Sequence, residues 1–261
     1  MSDRGLPIYY INLASRPDRR EHIESELAKV GLRATRINAV TPADLSPDDL
    51  DRYCNKSRPR YLMPAALSCT KSHIKAWHCL IDETRADWAL ILEDDAVLST
   101  KLPSFLDEFL ASPPPVDIVQ LHWNKHVRIL PAIRTMVCGV QLHPFRSTLA
   151  GTNAYLISRE AAARLLKRSD LFRQPADTML FRPYLKPGST LQSVLTEPAV
   201  ADQLWIGSNP LLGRSDIDDA RGWDGATRGR IGRALISAAN AIDHLVHLPL
   251  GLRRKDTGMA R

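Results

Sequence analysis

Three consecutive carboxylates, Glu93, Asp94 and Asp95, close the apolar run Trp88–Ala89–Leu90–Ile91–Leu92. Clustered anions repel one another unless a cation or a set of hydrogen-bond donors compensates them. All-oxygen ligands suit a hard divalent ion, Mn²⁺ or Mg²⁺. On a backbone that stays extended through the acids, Glu93 and Asp95 share one face and Asp94 takes the other, so Glu93 and Asp95 can approach the same ligand. The residues before them lack polar alternation, as in a central strand covered on both faces. The acids then lie at that strand's C-terminal edge, where open α/β sheets bind ligands.

Two other stretches carry groups of similar promise. Asn12 and Leu13 end the apolar segment PIYYINL, and Arg16, Arg19 and Arg20 follow at once. A guanidinium is a forked donor for phosphate or ribose oxygens; Arg16 and Arg19 are read in that role and Arg20 as an exposed helix residue. Ser72 and His73 fall inside ALSCTKSHIKAWHCLIDETRA. A helical histidine there either makes a structural hydrogen bond or orients a neighbouring loop or ligand, and both readings stay open. No nucleophile elbow accompanies the pair.

The elements that must hold these residues follow from periodicity. PIYYINL is a strand, and Ile23, Leu27 and Val30 recur at helical spacing before Gly31. RATRINAV is a second strand, and the turn-rich segment 41–64 carries one helical turn. A helix presenting Leu67, Ile74, Trp77 and Leu80 inward comes next, then the acid-ended strand, a short helix over 101–112 and the strand DIVQLHW. Residues 125–146 read as a β-rich excursion. AYLISREAAARLLKR is again strand to helix, with Ser158 as N-cap and Glu160 placed for capping and dipole chemistry. This alternation predicts an α/β fold, a mostly parallel sheet with helices on both faces.

With 44% hydrophobic residues in 261, the chain can bury a large core. Four cysteines without C-x-x-C spacing are too few to staple it, which points to reduced thiols and a cytoplasmic setting. The first residues offer neither a signal-peptide core nor a membrane span, so neither secretion nor membrane crossing is expected by that route. The net charge of +6 is uneven: residues 227–261 hold seven basic against two acidic side chains, an excess of +5. The body is near neutral, and no nucleic-acid partner is expected. Residues 229–248 form an amphipathic helix with Ile231, Leu235, Ala238, Ile242, Leu245 and Val246 as its apolar stripe. Such a helix either packs on the core or, followed by Arg253, Arg254 and Lys255, lies on an anionic membrane surface.

The blocks YINLASRPDRR, CTKSHIKAW, ALILEDDAVL, GTNAYLISREAAARLL and PADTML occur in order. Together they resemble glycosyltransferase family 25, whose members include lipooligosaccharide galactosyltransferases. The resemblance implies a GT-A (Rossmann-like) fold over residues 1–226, with 227–261 as an appended basic helix and tail. It implies inverting transfer of galactose, or glucose, from a UDP-sugar to a saccharide acceptor in lipopolysaccharide or related glycan synthesis. The acceptor would be lipid-linked and the enzyme peripheral on the inner membrane face. On this reading Glu93, Asp94 and Asp95 hold Mn²⁺ or Mg²⁺; Asn12, Leu13, Arg16, Arg19, Ser72, His73 and Gln203 bind the donor; Thr152 and Asn153 line the sugar pocket. Asp177, matching an aspartate of the family block, is the general base, since a single displacement needs one carboxylate to take the acceptor's proton. Its alternative is a helix cap. A rival from another class is a nucleotide- or glycan-binding protein on a degenerate transferase fold.

Overall fold

A computed structural model describes residues 5–58, 61–122, 127–130, 135–204, 230–255 and 258–260. The elements in chain order are β1 (Ile8–Asn12), α1 (Pro17–Lys29), β2 (Thr35–Asn38), α2 (Pro47–Cys54), α3 (Pro64–Glu83), β3 (Trp88–Glu93), β4 (Ala96–Leu98), α4 (Leu102–Ala111) and β5 (Ile118–Gln120). Then come β6 (Val127–Ile129), β7 (Thr135–Val137), β8 (Val140–Pro144), β9 (Ala154–Ser158), α5 (Arg159–Leu166), α6 (Ala176–Leu180), β10 (Ser193–Glu197), β11 (Ala201–Gln203), α7 (Arg230–His247) and β12 (Arg253–Lys255).

Eight strands form one sheet in the order β2-β1-β3-β9-β5-β10-β8-β7. β9 runs against both its neighbours, β3 and β5, and β8 against β10 and β7; the other strands share one direction. The unbroken apolar run of β3 is explained by its two covered faces. Leu90 and Leu92 pack with Ile23 and Leu27 of α1 and with Phe105 and Phe109 of α4. Ala89 and Ile91 pack on the other side with Ile74, Trp77 and Leu80 of α3 and with α5 and α6. Helices therefore cover both faces of the sheet, as the alternation predicts.

Several local expectations change. Residues 41–64 hold more than one helical turn: a 3₁₀ turn at Pro42–Asp44 and the eight-residue α2. Ser46 caps α2, accepting from Asp49 N at 3.1 Å, and Pro47 occupies its first turn; these punctuation residues start a helix. β10 and β11 are strands that the alternation did not predict, and β9 enters the sheet reversed. The β-rich excursion holds as β6, β7 and β8.

The described residues after 229 touch the body at several points. β12 pairs antiparallel with β6, Ala260 N donates to Ala199 O at 2.7 Å, and Ala260 is buried in the core of the α1–α4 face. α7 faces the body with its polar side. Asp243 is 7% exposed and ion-paired to Arg146, Arg128 donates to Asn240, and His247 Nδ1 lies 2.8 Å from Asp243 O. Leu235, Ile242, Leu245 and Val246 remain 62–67% exposed. The stripe does not turn inward, because the cations of β6 and β8's C-terminal loop recruit Asp243 and Asn240.

Candidate active site

The acids do not continue the strand. Asp94 and Asp95 form a two-residue turn between β3 and β4, so pleat alternation stops at Glu93 and the three carboxylates diverge. Glu93 reaches toward α3 and the segment before β9: Thr152 Oγ1 donates to Glu93 Oε1, and His73 Nε2 lies 3.4 Å from the same oxygen. Asp94 turns toward β1 and α1, where Asn12 Nδ2 donates to Oδ2 at 2.8 Å and Arg19 Nη1 to Oδ1 at 3.0 Å. Asp95 receives Asn153 Nδ2 at 2.8 Å and Gln203 Nε2 at 3.0 Å, with Arg19 Nη1 at 3.6 Å.

Reversal of β9 makes this possible. Because β9 starts at the edge where β3 and β5 end, Thr152 and Asn153 arrive beside the acids, and Asn153 O accepts from Glu93 N at 2.8 Å. β11 pairs with β4 and brings Gln203 opposite Ala96. β1, adjacent to β3, delivers Asn12.

Electrostatics show a deficit of positive charge. Burial raises Asp94 to about 6, although Arg19 and Asn12 pull it down. Asp95 is raised by burial and by Glu93, again against Arg19, Gln203 and Asn153. Burial also works to raise Glu93, but His73 and Thr152 outweigh it and hold it below the usual carboxylate range. One guanidinium thus serves two buried carboxylates beside an ionised third. Asn153 Oδ1 is buried with no hydrogen-bond partner. An unused amide oxygen beside undercompensated carboxylates is the donor set of a hard divalent cation, so the residues present fit Mn²⁺ or Mg²⁺.

A cleft of about 170 Å³ opens here, lined by Asn12, Leu13, Arg19, Ser72, His73, Gln203 and the three acids, together with Ala39, Val40 and Pro42. Ser72 Oγ accepts from Val40 N at 2.9 Å and donates to Ser68 O at 2.8 Å; it fixes the wall after β2. His73 is held from behind by Tyr155. The Tyr155 oxygen lies 3.0 Å from both Trp77 Nε1 and His73 Nδ1. Indole N–H can only donate, so the phenol oxygen accepts from Trp77, while Nε2 of the same imidazole faces Glu93. Both open readings of His73 therefore describe one residue: structurally anchored, and turned toward the site.

Arg16 is placed differently from its expectation. It forms a bidentate pair with Asp18 at 3.0 and 2.8 Å and does not line the cleft; a side chain two residues away captures it. Asp177 sits in the first turn of α6, whose N-cap is Pro175, so it is not the cap. Its Oδ2 accepts from Gly151 N at 3.4 Å, beside Thr152 and Asn153. Arg20 pairs with Glu24 on the surface, and Ser158 caps α5 as expected.

Three residues of the site escaped the sequence reading. Cys69, one turn before His73 on α3, has its sulfur among the His73 and Glu93 ligand atoms, all within 4.8 Å. Burial first, then Glu93, Asp177 and Asp95, push its thiol well up, so it enters the site neutral. The i, i+4 spacing to His73 was the available signal. His122, just past β5, is pushed down to about 4 by burial; its position at a strand's C-terminal edge was the same signal that marked the acids. Gly151 has φ +86°, and a Cβ there would meet Asn153 Oδ1 at 2.8 Å and His122 Cε1 at 3.3 Å.

No curated protein matches this chain. Among solved structures it is similar to a glycosyltransferase involved in the glycosylation of the major capsid of PBCV-1, at 11% identity and a TM-score of 0.37, over 76% of this chain and 94% of that one. The model of glycosyltransferase family 25, described as an LPS biosynthesis protein, matches residues 6–180. That span is most of the 261-residue chain and contains every acid, β1, the His73 column and Asp177, so the chain belongs to glycosyltransferase family 25.

Proposed function

We propose that this glycosyltransferase is a divalent-cation-dependent, inverting enzyme of GT-A type that moves galactose, or glucose, from a UDP-sugar to a saccharide acceptor that is lipid-linked. The observation that carries the reading is the cleft at the C-terminal edge of β1 and β3, onto which Glu93, Asp94 and Asp95 all open with a single guanidinium to compensate two of them. Ala39, Val40 and Leu13 give that cleft an apolar wall suited to a uracil ring. Glu93, Asp94 and Asp95, all on the wall of the cleft, would hold the cation, which supplies Lewis-acid stabilisation of the departing diphosphate. Arg19 and Asn12 keep the Asp94–Asp95 turn in place, and His73 fixes Glu93.

In the reaction the acceptor hydroxyl oxygen bonds to the anomeric carbon from the face opposite UDP. The bond from that carbon to the diphosphate breaks, and UDP leaves with its electron pair. Asp177 takes the hydroxyl proton. Its tether to Gly151 N sets it beside the segment that carries Thr152 and Asn153, where the transferred sugar would lie.

The reading is tested by transfer and donor hydrolysis over a panel of UDP-sugars, with Mn²⁺ or with excess chelator. Turnover of a UDP-hexose that chelator abolishes is expected. Tight UDP binding with no turnover of any sugar would instead establish the nucleotide-binding alternative. Among the described residues no helix is long and apolar enough to cross a membrane. Access to a lipid-linked acceptor on the inner membrane face would then come from peripheral contact through residues 229–255.

A further inference from the structure

We propose that the junction of α7 and β12 binds the phosphate headgroup of an anionic phospholipid while the outer face of α7 enters the bilayer. Two separate observations meet there. Leu235, Ile242, Leu245 and Val246 recur on an arc of about 100° and are all more than three-fifths exposed; Leu248 and Leu250 extend the ridge at 51% and 49%. Elsewhere among the described residues, only Leu50 and Met136 are large, apolar and exposed. Where α7 gives way to β12, a cavity of about 370 Å³ is lined by Arg128, Leu252 and Arg253 together with Asn240 and His244 from the body-facing side of α7.

The helix is mounted so that this arrangement is fixed. Its polar side is bound to the body through Asp243 and Asn240, so the apolar side faces solvent. Burial of a helix's apolar side is normally what holds it in place; here ion pairing holds it and leaves that side open. The ridge matches the acyl region of a bilayer, and Arg253, exposed just past the helix, the phosphates at its surface. Charge selects the anionic class, because residues 227–261 carry an excess of +5. A second copy of the chain would bring the same positive charge against itself. The use of this surface, to bring the cleft to lipid-linked acceptors, rests on the proposed function; its existence does not.

The experiment uses the full chain and vesicles of phosphatidylcholine alone or with a third phosphatidylglycerol, read by co-sedimentation and size exclusion. Wild type is expected on the phosphatidylglycerol vesicles, and Leu245→Ser with Val246→Ser should weaken partitioning on the order of tenfold or more. Arg253→Glu should weaken it about fivefold or more and lessen its salt dependence. All three side chains are exposed, so melting temperatures should stay at the wild-type value. Equal binding to both vesicle types, no binding, or undiminished binding by the double serine variant would overturn the proposal. So would displacement from vesicles by millimolar glycerol phosphate, which would make the junction a soluble-phosphate site. A wild-type dimer that the double variant dissociates would assign the ridge to a second copy, also against it. Vesicle binding needs no donor, whereas hydrolysis of a UDP-sugar needs no vesicle, so either reading can fail while the other stands.

Discussion

Replacing Arg19 with methionine keeps a long side chain in α1 and deletes the cation that serves two buried carboxylates. Its Nη1 lies 3.0 Å from Asp94 and 3.6 Å from Asp95, which are 6% and 3% exposed. At an effective dielectric constant of about 20, each contact is worth about 5 kcal/mol before desolvation is subtracted. Breaking a buried pair from one side usually destabilises by about 3–5 kcal/mol, because the charge left behind stays buried. That is the loss expected for Arg19→Met near pH 8.

Protonation should relieve it. Asp94 titrates near 6 in the fold against a reference value of 3.8, so its folded value is raised. Such a group adds stability that is complete below the unfolded value and disappears as pH climbs through the folded one; over about two units this is about 3 kcal/mol. Without Arg19 both carboxyls rise further, and the variant should lose stability more steeply between pH 4 and 8 than wild type. Urea unfolding at pH 5 and pH 8 reads the difference directly, and Mn²⁺ at pH 8 should restore part of it if a cation occupies the acids. An equal deficit at both pH values would refute the charge argument and make Arg19 a packing residue.

Other substitutions probe the neighbouring supports. Tyr155→Phe strands the buried Trp77 N–H and releases His73; a loss of about 1–3 kcal/mol in urea unfolding is expected, and wild-type stability would mean the phenol is not needed. Asp177→Asn should cut transfer by at least about a hundredfold while UDP affinity by calorimetry is kept; a parallel fall in affinity would make it a donor ligand. Gly151→Ala meets Asn153 and His122 at φ +86°. It should depress turnover and divalent affinity together, and wild-type values for both would show that the loop simply yields.

Most of the scaffold was legible because each helix and most strands carry their own period. The β3 run and the α3 face are determined by burial on two sides, which composition alone reveals. What hid was non-local. Nothing in AYLIS states that β9 runs backwards, because an antiparallel strand buried on both faces reads like a parallel one. The acids were found, but their directions were not: a turn at Asp94–Asp95 ends the pleat on which the Glu93–Asp95 pairing depended. Arg16 and Arg19 looked equivalent on paper, and only Asp18 beside one and Asp94 beneath the other separates them. The direction of α7 was likewise concealed, since the stripe is visible in sequence but the ion pair to Arg146 is made 97 residues away.

The reversed strand also dictates an order of events during synthesis. β3 and β5 are translated well before β9, yet in the sheet they flank it. Until residues 154–158 emerge, both strands have an open edge in the middle of the future sheet, an arrangement prone to wrong pairing. Thr152 and Asn153 arrive with the same segment, so Glu93 and Asp95 wait without those partners for as long as the gap remains. A nascent chain halted near residue 150 should therefore be protease-sensitive and prone to associate, and release of a few dozen more residues should end both behaviours together.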